Sequence, residues 1–360
     1  MPFAPLLAAL GEIQDPRRPQ GRRYTLTHLL LFSVLAVLAG ATSYQSIITF
    51  MSVHREHLNA IFSARFRRAP AVNTLRNLFL ALDPADLEAV FRRHARQLDK
   101  QAGRNGWRTV ALDGKTLRGS FDHLHDQTAA HVLSAFASDA ALILAHQDRG
   151  PRSDGCALHG RCPTLPKRGF ARAAETGNAL LVRVKANQPN LHDAMVGLCA
   201  EHEPVERHET VDRHHHGRQE HRLTEVFDVD DRLGPEWQPL VACAARISRL
   251  TWIKDTRSGL WAARRDVAYD ACQIRLDAPT LACAVRDHWG IENRDHHVRD
   301  RILREDDSRI RRKPGLFARI RSFALNLLRA KGVGNINQAL YANALSLNRL
   351  LAYGIVKSEN

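Results

Sequence analysis

VALDGKTLRGS, residues 110–120, begins as an apolar run, reaches the acid Asp113 and continues into Gly-Lys-Thr. A short apolar run bounded by turn residues reads as a strand. A carboxylate at the C-terminal end of such a strand projects into the crevice where open α/β sheets bind ligands. Asp-Gly is also a common turn dipeptide, so a plain turn is the alternative reading for Asp113 by itself. A phosphate-binding loop is excluded, because the Walker pattern needs a glycine five places before the Gly of Gly-Lys-Thr and Thr109 stands there.

Working outward, HVLSAFA (131–137) and ALILAH (141–146) read as two further strands joined by a tight SDA turn. FARAAETG (170–177) reads as a short helix ending at Gly177, and NALLVRVKA (178–186) as another strand. An α/β core follows from that succession. Residues 200–275 change character: ERHETVDRHHHGRQEH is polar and His-rich, and RLTEVFDV, LVACAARIS and LWAARRDVAY follow it. Those runs predict an antiparallel β insertion with exposed hairpins, the HHH at 214–216 forming a solvated tip. Residues 1–100 keep helical apolar spacing, and so do APTLACAVRDHWGIENRDHHVRDRIL (278–303) and GLFARIRSFALNLLRAKG (315–332).

The chain of 360 residues carries 52 Lys and Arg against 38 Asp and Glu, a formal charge of +14. Most of the excess is Arg, which grips phosphate oxygens in pairs, so nucleic acid is the leading partner and a merely soluble basic protein the alternative. The run LTHLLLFSVLAVLA (26–39) is too short for a bilayer, which needs about 20 apolar residues, and reads as a buried helix with no membrane role. Six cysteines without a repeated short spacing fit a reducing cytoplasm.

His288, Glu292, His296 and Arg299 follow at steps of four, four and three, which on an α-helix places them on one face. One acid among imidazoles and a guanidinium on one stripe is unusual for a plain solvated surface. A polar face with Trp289 packed inward is the plain alternative. A zinc site on His288 and His296 lacks the HExxH spacing.

DPRRPQGRRY (15–24), AGATSYQSI (39–47), ALDGKTLRGS (111–120), HVLSAFA, VKANQPNLH (184–192), HWGIENRDHHVRD (288–300) and REDDSRIR (304–311) together resemble the DDE transposases of bacterial insertion sequences, in the group of the H-repeat-associated proteins. The resemblance spans nearly the whole chain. It implies an α/β fold: a helical N-terminal domain over residues 1–105, then an RNase H-like catalytic core with a mixed sheet over residues 106–360, interrupted by the β insertion. It further implies DNA cleavage and strand transfer at insertion-element ends and a target, two copies joining two ends as a homodimer, and Mg²⁺ or Mn²⁺ held by three acids. Asp113 matches the first acid and Glu292 the third. His288 and Arg299 fall where the family places basic residues around that Glu. Lys115, Arg118 and Lys185 are the further DNA contacts expected.

The second acid breaks the pattern. Where the family has approximately Asp-Ala-Leu-His, this chain has Cys156-Ala157-Leu158-His159. The surrounding stretch, residues 147–169, has three prolines and no apolar run long enough for a strand. Asp154 is the nearest substitute, although a loop carboxylate is hard to hold with the accuracy a metal site needs. A catalytically inactive descendant that only binds DNA is therefore the rival reading, and a host nucleic-acid-binding protein a third. Cys156, His159 and Cys162 lack a fourth zinc ligand. Asp306 and Asp307 read as helix caps or partners of Arg309.

Overall fold

The computed structural model describes residues 1–101, 108–117, 120, 130–149, 165–215 and 217–355. The chain forms two compact units, residues 1–151 with 287–360, and residues 152–286.

The first unit begins with six helices, α1 (Ala4–Gly11), α2 (Leu26–Leu38), α3 (Tyr44–Val53), α4 (Arg55–Phe62), α5 (Val72–Ala81) and α6 (Pro84–Gln101). Eleven of the thirteen residues of α2 are buried, as a helix that is apolar all round requires. The reading of LTHLLLFSVLAVLA as a buried helix holds, and no helix among the described residues is long and apolar enough to cross a membrane. α6 is one-sided instead: Leu87, Val90, Phe91 and Ala95 are buried at helical spacing. Ser43 starts α3 with its hydroxyl accepting the Ser46 N–H at 3.2 Å, while the Ser46 hydroxyl accepts the Ser43 N–H at 2.9 Å, a reciprocal cap.

Three antiparallel strands follow, β1 (Val110–Thr116), β2 (His131–Ala137) and β3 (Leu142–Arg149), in that spatial order. Asp113 lies opposite Ser134, and Ser134 opposite His146. The C-terminal part supplies α10 (Pro314–Ala330), α11 (Ile336–Leu345) and α12 (Leu347–Ala352). α10 is buried without a break from Gly315 to Leu328 and packs on α2, α6 and β3. Its Asn326 amide takes the place of a strand neighbour at β3, accepting the Ile143 N–H at 2.9 Å and donating to the Ile143 carbonyl at 2.8 Å. Helices and strands share one apolar core, from Leu6 and Phe32 to Phe136, Ile291 and Phe323.

The second unit holds α7 (Leu165–Glu175), β4 (Leu181–Val184), α8 (Pro189–Glu201), β5 (Glu206–His215), β6 (Arg218–Asp228), β7 (Cys243–Lys254), β8 (Trp261–Cys272) and most of α9 (Ala278–His288). Its sheet is antiparallel with the order β4-β8-β7-β6-β5. The expected β insertion is there. Gly177 ends α7 as expected, with φ +68° and the Asn178 N–H reaching back to the Ala173 carbonyl.

Two expectations need correction. The expected mixed sheet is not seen among the described residues, where both sheets are antiparallel, because β4 pairs with β8 and no described strand lies against the outer edge of β1. Asp113 does not end its strand: Gly114, Lys115 and Thr116 continue the ladder opposite Leu133, Val132 and His131, so neither a turn nor a strand terminus describes it.

Candidate active site

Alternation along β1 buries Ala111 and Lys115 and leaves Val110 and Leu112 exposed on the other face, so half-buried Asp113 shares the face of Ala111 and Lys115. That face packs on residues 291–296. The helical path that begins as α9 does not continue as an α-helix there. Ile291–His296 and Val298–Ile302 are π-wound, with the His297 N–H bonded to the Glu292 carbonyl and the Leu303 N–H to the Val298 carbonyl. Such wide turns are rare and recur at functional sites.

The winding decides which residues face outward. Seven places along an α-helix return nearly to the same face, but i→i+5 turns hold more residues, and the seventh falls short by roughly a third of a turn. Glu292 is exposed while Arg299 is wholly buried. The single stripe expected from His288, Glu292, His296 and Arg299 is therefore split. His288 and Trp289 are exposed, so Trp289 does not pack inward. His296 is largely buried, and its Nδ1 lies 3.6 Å from Asp113 Oδ2. Burial pushes this imidazole below its ordinary pKa, against the pull of Asp295 and Asp113.

Arg299 donates to Glu305 Oε1 at 2.9 Å and sits 3.6 Å from Asp295. Lys115 donates to Glu305 Oε2 at 2.7 Å and is paired with Asp300. Arg321 from α10 lies 3.8 Å from Glu305 and stacks over Phe317. Burial alone would raise the Glu305 pKa, but Arg299, Lys115 and Arg321 hold it well below the carboxylate range. Burial brings the Arg321 guanidinium down to about 10. Lys115 and Arg299, both expected as DNA contacts, are buried, Lys115 on Asp300 and Glu305 and Arg299 through Nη2 on Glu305.

A second polar knot sits nearby. Glu88 of α6 accepts from Arg319 Nε, Arg92 Nε and the His146 N–H, each at 2.7 Å. His146 bridges the Ser134 and Ser322 hydroxyls at 3.0 and 2.8 Å, and burial keeps its pKa well below the ordinary value. None of Glu88, His146, Asp295, Asp300 or Glu305 stands out in the sequence as a site residue. Glu305 stands in REDDSRIR, where three acids match three arginines, so charge pattern alone does not single it out.

Lys185 is exposed just after β4. Asp307 pairs with Arg304, not Arg309. Arg118, Asp154, Cys156, His159 and Cys162 lie outside the described residues.

Asp113 and Glu292 suit a hard divalent cation in donor chemistry: both are carboxylates open to solvent, and among the described residues neither carries a Lys or Arg partner. No three His, Cys, Asp or Glu groups converge into a metal centre among the described residues.

Residues 7–95 match the DDE_Tnp_1-associated family. Over 351 residues and 91% of both chains, this chain is 27% identical to the "Putative protein YbfL" of Escherichia coli K12. It is 26% identical, again over 91% of both chains, to the "H repeat-associated putative transposase YhhI" of the same strain. The resemblance carried by the sequence motifs thus runs along most of the chain. A solved piggyBac transposase synaptic complex with hairpin DNA aligns with 99% of this chain and 81% of that one, at 11% identity and a TM-score of 0.39, too loose a match to carry the fold.

Proposed function

We propose that this chain is a DNA transposase that cleaves and transfers strands at the ends of an insertion element, with Asp113 and Glu292 at the reacting phosphodiester. The observation that carries the reading is the packing of β1 against residues 291–296. It sets the half-exposed carboxylate of Asp113 beside the wide turn whose exposed acid is Glu292. Similarity to transposases over 91% of the chain supports it.

Phosphodiester cleavage is an in-line displacement that needs no serine or cysteine nucleophile. A Mg²⁺ or Mn²⁺ pair held by Asp113 and Glu292 would supply charge neutralisation at the attacking and leaving oxygens. The chain's own contribution is placement. Lys115, two residues from Asp113, is clamped to Asp300 and Glu305, and this fixes β1 against the helical segment that presents Glu292. With Lys115 and Arg299 turned inward, exposed groups such as His288 and Lys185 are left to meet the DNA backbone, alongside the general positive charge.

Nicking of element-end DNA in the presence of Mg²⁺ or Mn²⁺ tests the reading: Asp113→Asn and Glu292→Gln should each abolish it while leaving DNA binding intact. Undiminished nicking by either variant would overturn the assignment. One observation favours a second reading, that of a remnant which binds element ends without cutting: Cys156 stands at the second acid's place in the sequence. That reading expects salt-sensitive DNA binding with no nicking, and recovery of nicking once an acid and its strand are restored there.

A further inference from the structure

Asp113 has no Lys or Arg ion pair among the described residues, whereas Asp300 and Glu305 are paired with Lys115, and Asp295 and Glu305 with Arg299. The His296 ring approaches the Asp113 carboxylate from the π-wound segment. Their separation of 3.6 Å is too long for a hydrogen bond. It is close to the roughly 3.0–3.5 Å that separates neighbouring ligands around a cation with bonds of about 2.0–2.2 Å.

The other side of the ring carries the second observation. Nε2 of His296 faces Asp295 Oδ2 at 3.8 Å, and Asp295 is wholly buried. Neither Asp295 oxygen nor His296 Nε2 has a hydrogen-bond partner. A buried carboxylate at ion-pair distance behind one ring nitrogen, with an acid in front of the other, has the order of a carboxylate–histidine–metal site, at a separation longer than a hydrogen bond.

Resting on the proposed metal-dependent reading of this site, we infer that His296 is a metal ligand through Nδ1, shares one divalent cation with Asp113 and is held by Asp295. Nitrogen is a poor ligand for Mg²⁺ and a better one for first-row transition metals, strongest towards the Co²⁺ and Zn²⁺ end and weakest at Mn²⁺. The cation at this position is therefore a first-row transition metal, of which Mn²⁺ is the hardest and still preferred over Mg²⁺. Waters and substrate phosphates complete its shell, in keeping with the absence of a third converging side chain among the described residues.

The experiment is a Mn²⁺ titration of the full chain followed by electron paramagnetic resonance, with pulsed detection of nitrogen coupling. The wild type should bind Mn²⁺ at least about tenfold more tightly than Mg²⁺ and show coupling to one imidazole nitrogen. His296→Gln should lose that coupling and roughly 10–100-fold of the Mn²⁺ affinity, with Mg²⁺ affinity unchanged; Asp295→Asn should weaken Mn²⁺ binding while keeping the coupling. Thermal melts identify any variant that fails to fold, and the wild-type nitrogen signal decides the matter without a variant. Absent coupling, or a coupling that survives in His296→Gln, overturns the inference. Asp113→Asn separates it from the broader reading. If that variant loses both metals while His296→Gln loses neither, only the histidine assignment falls, and if neither variant loses Mn²⁺, the metal site falls with it.

Discussion

Lys115 and Glu305, 190 positions apart in the chain, meet inside the protein with Nζ 2.7 Å from Oε2. The contact ties β1 to the segment after the wide helical turns, and it lies two residues from Asp113. Stability and site geometry are therefore joined at this carboxylate.

Glu305→Gln should cost about 3–5 kcal/mol at neutral pH, because Lys115 and Arg299 would remain buried without their shared anion. The Glu305 pKa is depressed in the folded protein, so its contribution is complete above its ordinary value of 4.5 and is lost as pH falls below it. Urea unfolding at a series of pH values checks this. The gap between wild type and variant should be widest near pH 7 and shrink below about 4.5. A gap independent of pH would mean that packing, not charge, is what the variant removes.

DNA binding should divide the basic residues differently from the way the sequence does. Arg299 is wholly buried, so Arg299→Gln should destabilise the fold yet leave the slope of log affinity against log salt unchanged. Lys185→Ala should flatten that slope by about 0.9, the share of one phosphate contact. The reverse outcome would put Arg299 at the DNA and overturn the account of the π-wound segment.

His94 has neither ring nitrogen hydrogen-bonded, and burial pushes its pKa down to about 4. An imidazole kept neutral in the fold but free to protonate when unfolded stabilises the protein fully above about pH 6.5 and progressively less as pH falls towards 4. At pH 4 the loss is on the order of 3 kcal/mol. His94→Leu should remove this acid sensitivity. Thermal melts between pH 7 and 4 should show the wild type falling faster than the variant.

Local pattern made much of the chain legible. The apolar run of α2, the strands at 110, 131 and 142, and the β insertion each follow from apolar spacing and turn residues that act over short distances. Two features escaped for a physical reason. Arg299 was legible only as part of a stripe at α-helical spacing, and the wide turns cannot be inferred from that spacing because they change it. Glu305 sits in a string of mixed charge where three acids are equivalent by sequence, and its partner Lys115 lies on a strand where Gly-Lys-Thr looks like a turn. Only tertiary packing turns Lys115 inward and lets the strand run on past Asp113. The helices before residue 105 read as a separate domain because their periodicity differs, yet their apolar faces close on the same core as β1–β3 and α10.

Gly315 opens α10 against the end of β3, where a methyl group at its Cα would stand 2.4 Å from Asp148 Oδ1. That space is filled by the Asp148 carboxylate, which takes two bonds from Arg319 Nη1 at 3.0 and 2.9 Å. Arg319 is buried and also donates to Glu88, so displacing Asp148 would leave it half compensated. Gly315→Ala should therefore destabilise by roughly 1–3 kcal/mol, through loss of a charged hydrogen bond more than through backbone strain. Asp148→Ala alone should cost a similar amount by removing the same bond. If the two losses are one event, the double variant should be little worse than either single one, because with Asp148 truncated the alanine at 315 has room. Additive losses in urea unfolding would mean that Gly315 serves the helix start independently of Asp148.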